Sequence, residues 1–236
     1  MSLSQTEGAQ RIDAQQAYEL WAPSYDTTPN PLLALEERSL SSVFGNQVGK
    51  NIVDLGCGTG RWLTRLEQSS AASLTGVDSS AAMLAQARRK CRPSTRLIHA
   101  NCSATSLPDR QTDFVLASFV LSYIDDLEKF ADEAARILRP GSTLIVADMH
   151  PDAVSYGWRR TFRSPVRVFE IETYEYSLQR LFSVMAGAGF LLEQTVEPSF
   201  GEAEAAIFRE AGKYDSFLQV QGMPVIYWAR FRSAAS

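Results

Sequence analysis

The sequence has little of what metal and redox sites are built from: two histidines and three cysteines in 236 residues. His99 and His150 lie far apart, and Cys57, Cys91 and Cys102 have neither Cys-x-x-Cys nor zinc-site spacing. No metal is therefore expected, and reduced thiols in a cytoplasmic protein are the simplest reading. Long apolar runs are missing too, as are the basic and apolar regions of a signal peptide at Met1-Ser-Leu-Ser-Gln-Thr6, so no membrane association is expected. Positive charge is not in excess either, since the formal net charge is -4, which argues against a general nucleic-acid binder. There is no internal repeat and no low-complexity linker. What remains is ordinary globular composition, 45% apolar and 21% charged, in a chain with room for one well-covered core.

The informative stretch is Asn51-Ile-Val-Asp-Leu-Gly-Cys-Gly-Thr-Gly60. Residues 52–55 form a short, β-branched apolar run, which reads as a buried strand. Gly56, Gly58 and Gly60 then let the backbone turn and let a ligand approach where a Cβ would block it. Trp62, Leu63 and Leu66 follow at helical spacing, so the unit is strand, glycine turn, helix. A dinucleotide fingerprint, G-x-G-x-x-G, would need its third glycine at Arg61, and Asp54 would sit poorly beside a diphosphate.

Val53 to Gly60 resembles motif I of the Rossmann-like S-adenosylmethionine (SAM) methyltransferases. The ligand of that family carries no phosphate, so an acid near its ammonium group is useful. The resemblance implies that Asp54, Gly56, Cys57, Gly58 and Gly60 bind SAM. Asp78 ends a second strand, residues 74–78, and lies 18 residues beyond Gly60, close to the offset at which an acid takes ribose hydroxyls. Ser79 or Ser80 caps a helix over 81–90, whose Met83 the family pattern places near adenine. A third strand over 95–100 leads to Asn101, Cys102 and Ser103. The family most often has Asp where Asn101 stands; Asn keeps the carbonyl acceptor for the adenine amino group and loses the charge. The Cys102 backbone N–H would meet the ring. A fourth strand, 112–118, and its loop resemble the segment that meets the methionine part, which implicates Ser118, Phe119 and Tyr123.

Before the core, Tyr18-Glu-Leu-Trp21-Ala-Pro-Ser-Tyr25-Asp26 resembles the aromatic N-terminal segment of the ubiquinone/menaquinone and malonyl-carrier-protein branches, which folds over bound cofactor. Tyr18, Trp21 and Tyr25 also have i, i+3, i+7 spacing, which suits core packing. A second helix is expected over 32–44, and residues 1 to about 12 are expected to fray. After the core come an amphipathic helix over 126–138, a Leu138-Arg-Pro-Gly141 turn and a fifth strand over 143–148. An insertion over 151–172, rich in aromatics and arginine, is expected to cap the substrate pocket. A helix over 177–188, a strand over 190–196, helix plus loop over 202–217 and a strand over 225–231 complete the chain.

This order predicts an α/β fold: a doubly wound, mostly parallel seven-stranded sheet whose seventh strand runs antiparallel at one side. The chain reads as one domain, with a lid over 1–45, a SAM-binding core over 50–150, the cap, and a C-terminal part over 173–236. The implied activity is SAM-dependent methyl transfer to an oxygen or nitrogen of a small molecule, with carbon as a third option, by a monomer or homodimer. His150, directly after the fifth strand, is the expected base, because imidazole is the side chain type that exchanges protons near neutral pH. The rivals are an NAD-dependent reductase and a SAM-binding protein without transfer activity. His99 is expected to be a packing or edge residue.

Overall fold

The computed structural model describes residues 9–234. The fraying expected over residues 1–8 lies outside them. Five strands with both faces covered form the parallel part of the main sheet: β2 (Asn51–Leu55), β3 (Ser73–Asp78), β4 (Arg96–His99), β5 (Thr112–Ser118) and β6 (Leu138–Met149). With β9 (Phe190–Val196) and β10 (Ile226–Ser233) the strand order is β4-β3-β2-β5-β6-β10-β9. β10 runs antiparallel to both its neighbours and sits one strand in from the edge.

The order reverses beside β2, with β3 and β4 to one side and β5 and β6 to the other. Ligands of open α/β sheets bind at the carboxyl ends of strands at such a reversal. The shared parallel direction brings the loops after Leu55, Asp78 and Ser118 to that edge together.

Each sheet face is covered by amphipathic helices. On one side α5 (Leu127–Ile137) buries Leu127, Phe130, Ala131, Ala134 and Ile137, and α7 (Leu178–Gly187) adds Leu181, Val184 and Met185. Asp126 caps α5 by accepting from the Lys129 N–H. On the other side α3 (Arg61–Leu66) and α4 (Ala81–Lys90) pack Trp62, Leu63, Leu66 and Leu84 against Ile52, Phe114 and Ile145.

Three features depart from the sequence reading. Gln10–Ile12 is not frayed but forms a strand, β1, whose register pairs Gln10, Arg11 and Ile12 with Phe169, Glu170 and Ile171. The partner is β8 (Val168–Ile171), which makes a hairpin with β7 (Thr161–Arg163), so the insertion after α6 (Pro151–Ser155) contributes two strands to a separate sheet ordered β1-β8-β7. The second helix, α2 (Pro31–Leu40), is shorter than expected, with Asn30 capping it and Pro31 at its first turn. Phe44 lies beyond its end, edge-on to Trp62 and Phe114 at 4.8 and 5.8 Å. Finally, two helices, α8 (Glu202–Glu210) and α9 (Tyr214–Val220), occupy the stretch read as helix plus loop.

Candidate functional site

A cavity of about 310 Å³ opens over the carboxyl ends of β2, β3 and β5. Its floor is the glycine turn, tied to β3 because the Gly56 and Cys57 N–H groups both donate to the Val77 carbonyl, at 2.8 and 3.0 Å. Gly58 has a φ of 54°, and a Cβ there would meet no protein atom within 4 Å, only the open space that Gly58 lines. Gly60 does not line the cavity. Its φ is 79°, and a Cβ would stand 2.8 Å from Cys91 Sγ, so this glycine serves the close packing of α3 on α4.

Two polar atoms, one on a carboxyl and one on a guanidinium, lack partners at this floor among the described residues. Asp54 is buried, and its Oδ1 accepts no hydrogen bond among the described residues. Arg61 lines the same cavity with its Nη1 likewise unsatisfied. The other guanidinium nitrogen pairs with Glu36, a fully buried carboxylate on α2 that also accepts from Trp62 Nε1 at 3.2 Å and from the Ser118 hydroxyl. Burial pushes the Asp54 carboxyl up to about 8; Arg61 pulls it down, and Glu36 and Asp78 push it up. A carboxyl without a partner and a guanidinium with one N–H edge still free of hydrogen bonds together suit the ammonium and carboxylate of an α-amino acid.

Asp78, at the end of β3, accepts from the Gly58 N–H on one oxygen (2.7 Å) and the Ser80 N–H on the other (2.8 Å). A carboxylate has about four acceptor sites, so both oxygens keep capacity for a diol. Burial raises its pKa, and the two backbone N–H groups pull it back down. An amino-acid receptor and a diol acceptor in one cavity, over a glycine whose missing Cβ leaves room, fit SAM.

The roof comes from the N-terminal segment. Tyr18 on α1 (Ala14–Trp21) and Tyr25 line the cavity, and the Tyr18 hydroxyl donates to the Tyr123 hydroxyl at 2.8 Å. Burial raises all three phenols, Tyr25 to about 12, so they stand as neutral hydrogen-bond donors near pH 7. Trp21 does not line this cavity: its ring stacks on Phe162 at 5.1 Å and 9°, away from the glycine turn. Polar ties hold the segment down. Glu19 accepts from the Ser80 hydroxyl at 2.9 Å, and Asp26 accepts from the Thr59 hydroxyl at 2.7 Å and from Lys90 at 2.6 Å.

Ser79, Met83, Asn101, Cys102, Ser118 and Phe119 line the cavity as well. Asn101 Oδ1 accepts from the Ser103 N–H at 2.7 Å, so part of its acceptor capacity is spent locally, and Ser103 itself stays outside the lining. Ala14, Gln15, Leu33, Thr59, Arg61, Trp62, Ser80 and Val120 belong to the lining without having been singled out in the sequence. Glu36 had a usable signal: it shares a helix face with Leu32 and Leu40, four residues to either side, yet it reads as one of a solvated pair of glutamates.

The base role expected of His150 has no geometric support. Its ring is buried outside this cavity, with Nδ1 accepting from the Asp152 N–H at 3.1 Å and Nε2 3.1 Å from Glu197. Both nitrogens are engaged, and the residue caps α6. His99 bonds the Ser79 carbonyl through Nε2 at 2.8 Å. Nearby, the buried Arg160 pairs with the buried Asp148 and lies 4.5 Å over the Phe119 ring.

The Asp54 geometry predicts a pH effect. A bound ammonium favours ionised Asp54, so the carboxyl must release its proton on binding. Affinity for S-adenosylhomocysteine should rise by up to roughly tenfold per pH unit from pH 6 and level near pH 8, with proton release visible as a buffer-dependent enthalpy. Asp54→Asn should abolish the slope. In the free protein the sign is the reverse: an acid raised from 3.8 to about 8 on folding lowers stability as pH rises through that window.

Comparison with known proteins agrees with this geometry. A family model described as a methyltransferase domain matches residues 53–146. The demethylmenaquinone methyltransferase of Tropheryma whipplei (strain Twist) is 27% identical over 212 residues, spanning 86% of this chain and 84% of that protein. Among solved structures, an S-adenosylmethionine-dependent methyltransferase of Mesorhizobium loti superposes with a TM-score of 0.68 at 20% identity, covering 86% of this chain and 100% of the other. The geranyl diphosphate C-methyltransferase of Streptomyces coelicolor A3(2), solved with Mg2+, geranyl diphosphate and S-adenosyl-L-homocysteine, gives 0.67 at 16%, covering 86% and 80%.

Proposed function

We propose that this chain, a class I SAM-dependent methyltransferase, methylates a ring carbon of a small, planar, largely apolar acceptor. The observation that carries the reading is one cavity holding three matched features: Asp54 without a partner and the unsatisfied Nη1 of Arg61 at the glycine turn, and Asp78 with capacity for a diol. The choice of carbon is supported by likeness to demethylmenaquinone methyltransferases, whose name implies a quinone ring.

SAM supplies an electrophilic methyl on a sulfonium that leaves neutral. The residues of this chain then have binding, orientation and water exclusion to perform. Asp54 and Arg61 hold the amino-acid end, and Asp78 holds the ribose. Tyr18, Tyr25 and Tyr123, neutral and buried, enclose the space beside Phe119; with the Tyr18 hydroxyl donating to Tyr123, Tyr25 and Tyr123 keep O–H donors for an acceptor oxygen. Holding acceptor and methyl in line is worth about 7–11 kcal/mol at best, so positioning can supply much of the acceleration. An electron-rich ring carbon brings its own electron pair and needs no base before the transfer; the S–CH3 bond breaks as the C–CH3 bond forms, and the ring C–H proton is lost to water afterwards. We read the chain as one catalytic domain, with the N-terminal segment as lid and 151–172 as cap; its free thiols suit a cytoplasmic enzyme.

The test is a pair of measurements. Thermal shift with SAM, S-adenosylhomocysteine and NAD side by side should show stabilisation by the first two, and stronger stabilisation by NAD would overturn the cofactor. Incubation with SAM and a reduced, short-chain demethylmenaquinone should yield a ring-methylated product by mass spectrometry; an O-methyl ether instead would overturn the carbon assignment.

Gly58 gives a steric check on the same site. Gly58→Ala costs roughly 1–2 kcal/mol of stability for its left-handed φ, and the new methyl projects into the cavity. The variant should fold and yet bind S-adenosylhomocysteine at least tenfold more weakly. Unaltered affinity would mean that the ligand does not lie over Gly58.

A further inference from the structure

A second cavity, about 580 Å³, lies behind the lid and shares no lining residue with the first. Its volume falls within the range of small-molecule sites. Trp21 forms part of its wall, while Tyr18 and Tyr25 of the same segment face the other cavity. The Trp21 and Phe162 rings stack on one another, with Tyr18 and Phe169 stacked on them in turn, and they wall the cavity together with the apolar Val168, Ile207 and Phe208. Apolar walls of this kind favour an apolar guest.

The polar part of the lining is cationic. Arg159, Arg163 and Lys213 face one acid, Glu210. Arg159 is held in place by donating to the Val154 and Trp158 carbonyls, both at 2.8 Å, neither of which neutralises its charge. Arg163 and Lys213 enter no ion pair among the described residues, whereas Arg160, between Arg159 and Arg163 in sequence, is consumed by Asp148. Guanidinium groups are suited to carboxylate, phosphate and sulfonate through paired N–H donors.

We propose that this second cavity is a binding site, separate from the cofactor site, for a small anion with an apolar body, such as an aromatic carboxylate. The inference stands on this cavity alone and does not depend on methyl transfer.

Calorimetry on the full chain with naphthalene-2-carboxylate and its neutral carboxamide tests it. The carboxylate should bind at least tenfold more tightly than the carboxamide, and saturating S-adenosylhomocysteine should not displace it. Arg163→Ala combined with Lys213→Ala should remove most of that preference and leave S-adenosylhomocysteine affinity unchanged. Asp78→Ala should do the opposite, weakening S-adenosylhomocysteine and sparing the naphthoate. Equal binding of acid and amide, no binding of either, or displacement by S-adenosylhomocysteine would each overturn the proposal.

Discussion

Asp78→Ala is expected to weaken S-adenosylhomocysteine binding by about one to two decades, with the protein still folded. A hydrogen bond to a charged group is worth about 1.5–3 kcal/mol, and each 1.4 kcal/mol is tenfold in affinity. The effect belongs at the upper end because Asp78 does two things at once. In the proposed binding mode it offers free acceptor sites to the ribose, and it holds the Gly58 and Ser80 N–H groups that shape the floor and begin α4. Alanine removes both functions, whereas Asp78→Asn keeps one oxygen and should fall between. Calorimetry and a thermal melt on the same samples separate lost affinity from lost fold. Affinity equal to that of the parent would remove Asp78 from the site.

The second large effect is on stability. Arg160→Met should destabilise the fold by about 3–5 kcal/mol, because it strands a buried Asp148 without its countercharge. At this chain length that corresponds to a fall in melting temperature on the order of 10 °C. Asp148 keeps hydrogen bonds from the Ser122 N–H at 2.9 Å and from the Met149 N–H at 2.7 Å, which do not neutralise it. The double variant Arg160→Met with Asp148→Asn should therefore recover much of the loss, as buried pairs replaced together often cost little. The exposed Arg163→Met serves as the comparison and should stay within about 0.5 kcal/mol of the parent. If Arg160→Met melts no lower than Arg163→Met, the pair contributes nothing to stability.

Much of the lining of the first cavity was legible because its chemistry is local in the chain. The glycine turn, Asp78 and the strand-end loops each lie within a few residues of a recognisable strand, and a parallel sheet delivers all strand ends to one edge. What escaped depended on distant partners. β1 is three residues long, two of them exposed, with no period to read; its identity as a strand comes from a partner more than 150 residues away. The ring direction of His150 is set by Glu197 and by the capping of α6, so its place after β6 said nothing of where the imidazole would point. Trp21 shares helical spacing with Tyr18 and Tyr25, and its stacking on Phe162, from the insertion, takes its ring to the other side of the N-terminal segment. Glu36 was misread for a different reason: a buried acid looks like a surface acid until Arg61 and Trp62 are placed against it.

The small sheet β1-β8-β7 bears on how such a protein diversifies. Its strands come from both sides of the core in sequence, and β8 is the central one, bonded to β7 on one edge and β1 on the other. A chimera that grafts only residues 151–172 from a relative would have to match the register of a foreign β1, or leave the Phe169–Ile171 edge open to non-native pairing. Grafting both pieces together avoids that mismatch. Cap and N-terminal strand are therefore expected to be inherited as a pair, and recombination that separates them should yield chains that fold at the core and aggregate at the cap.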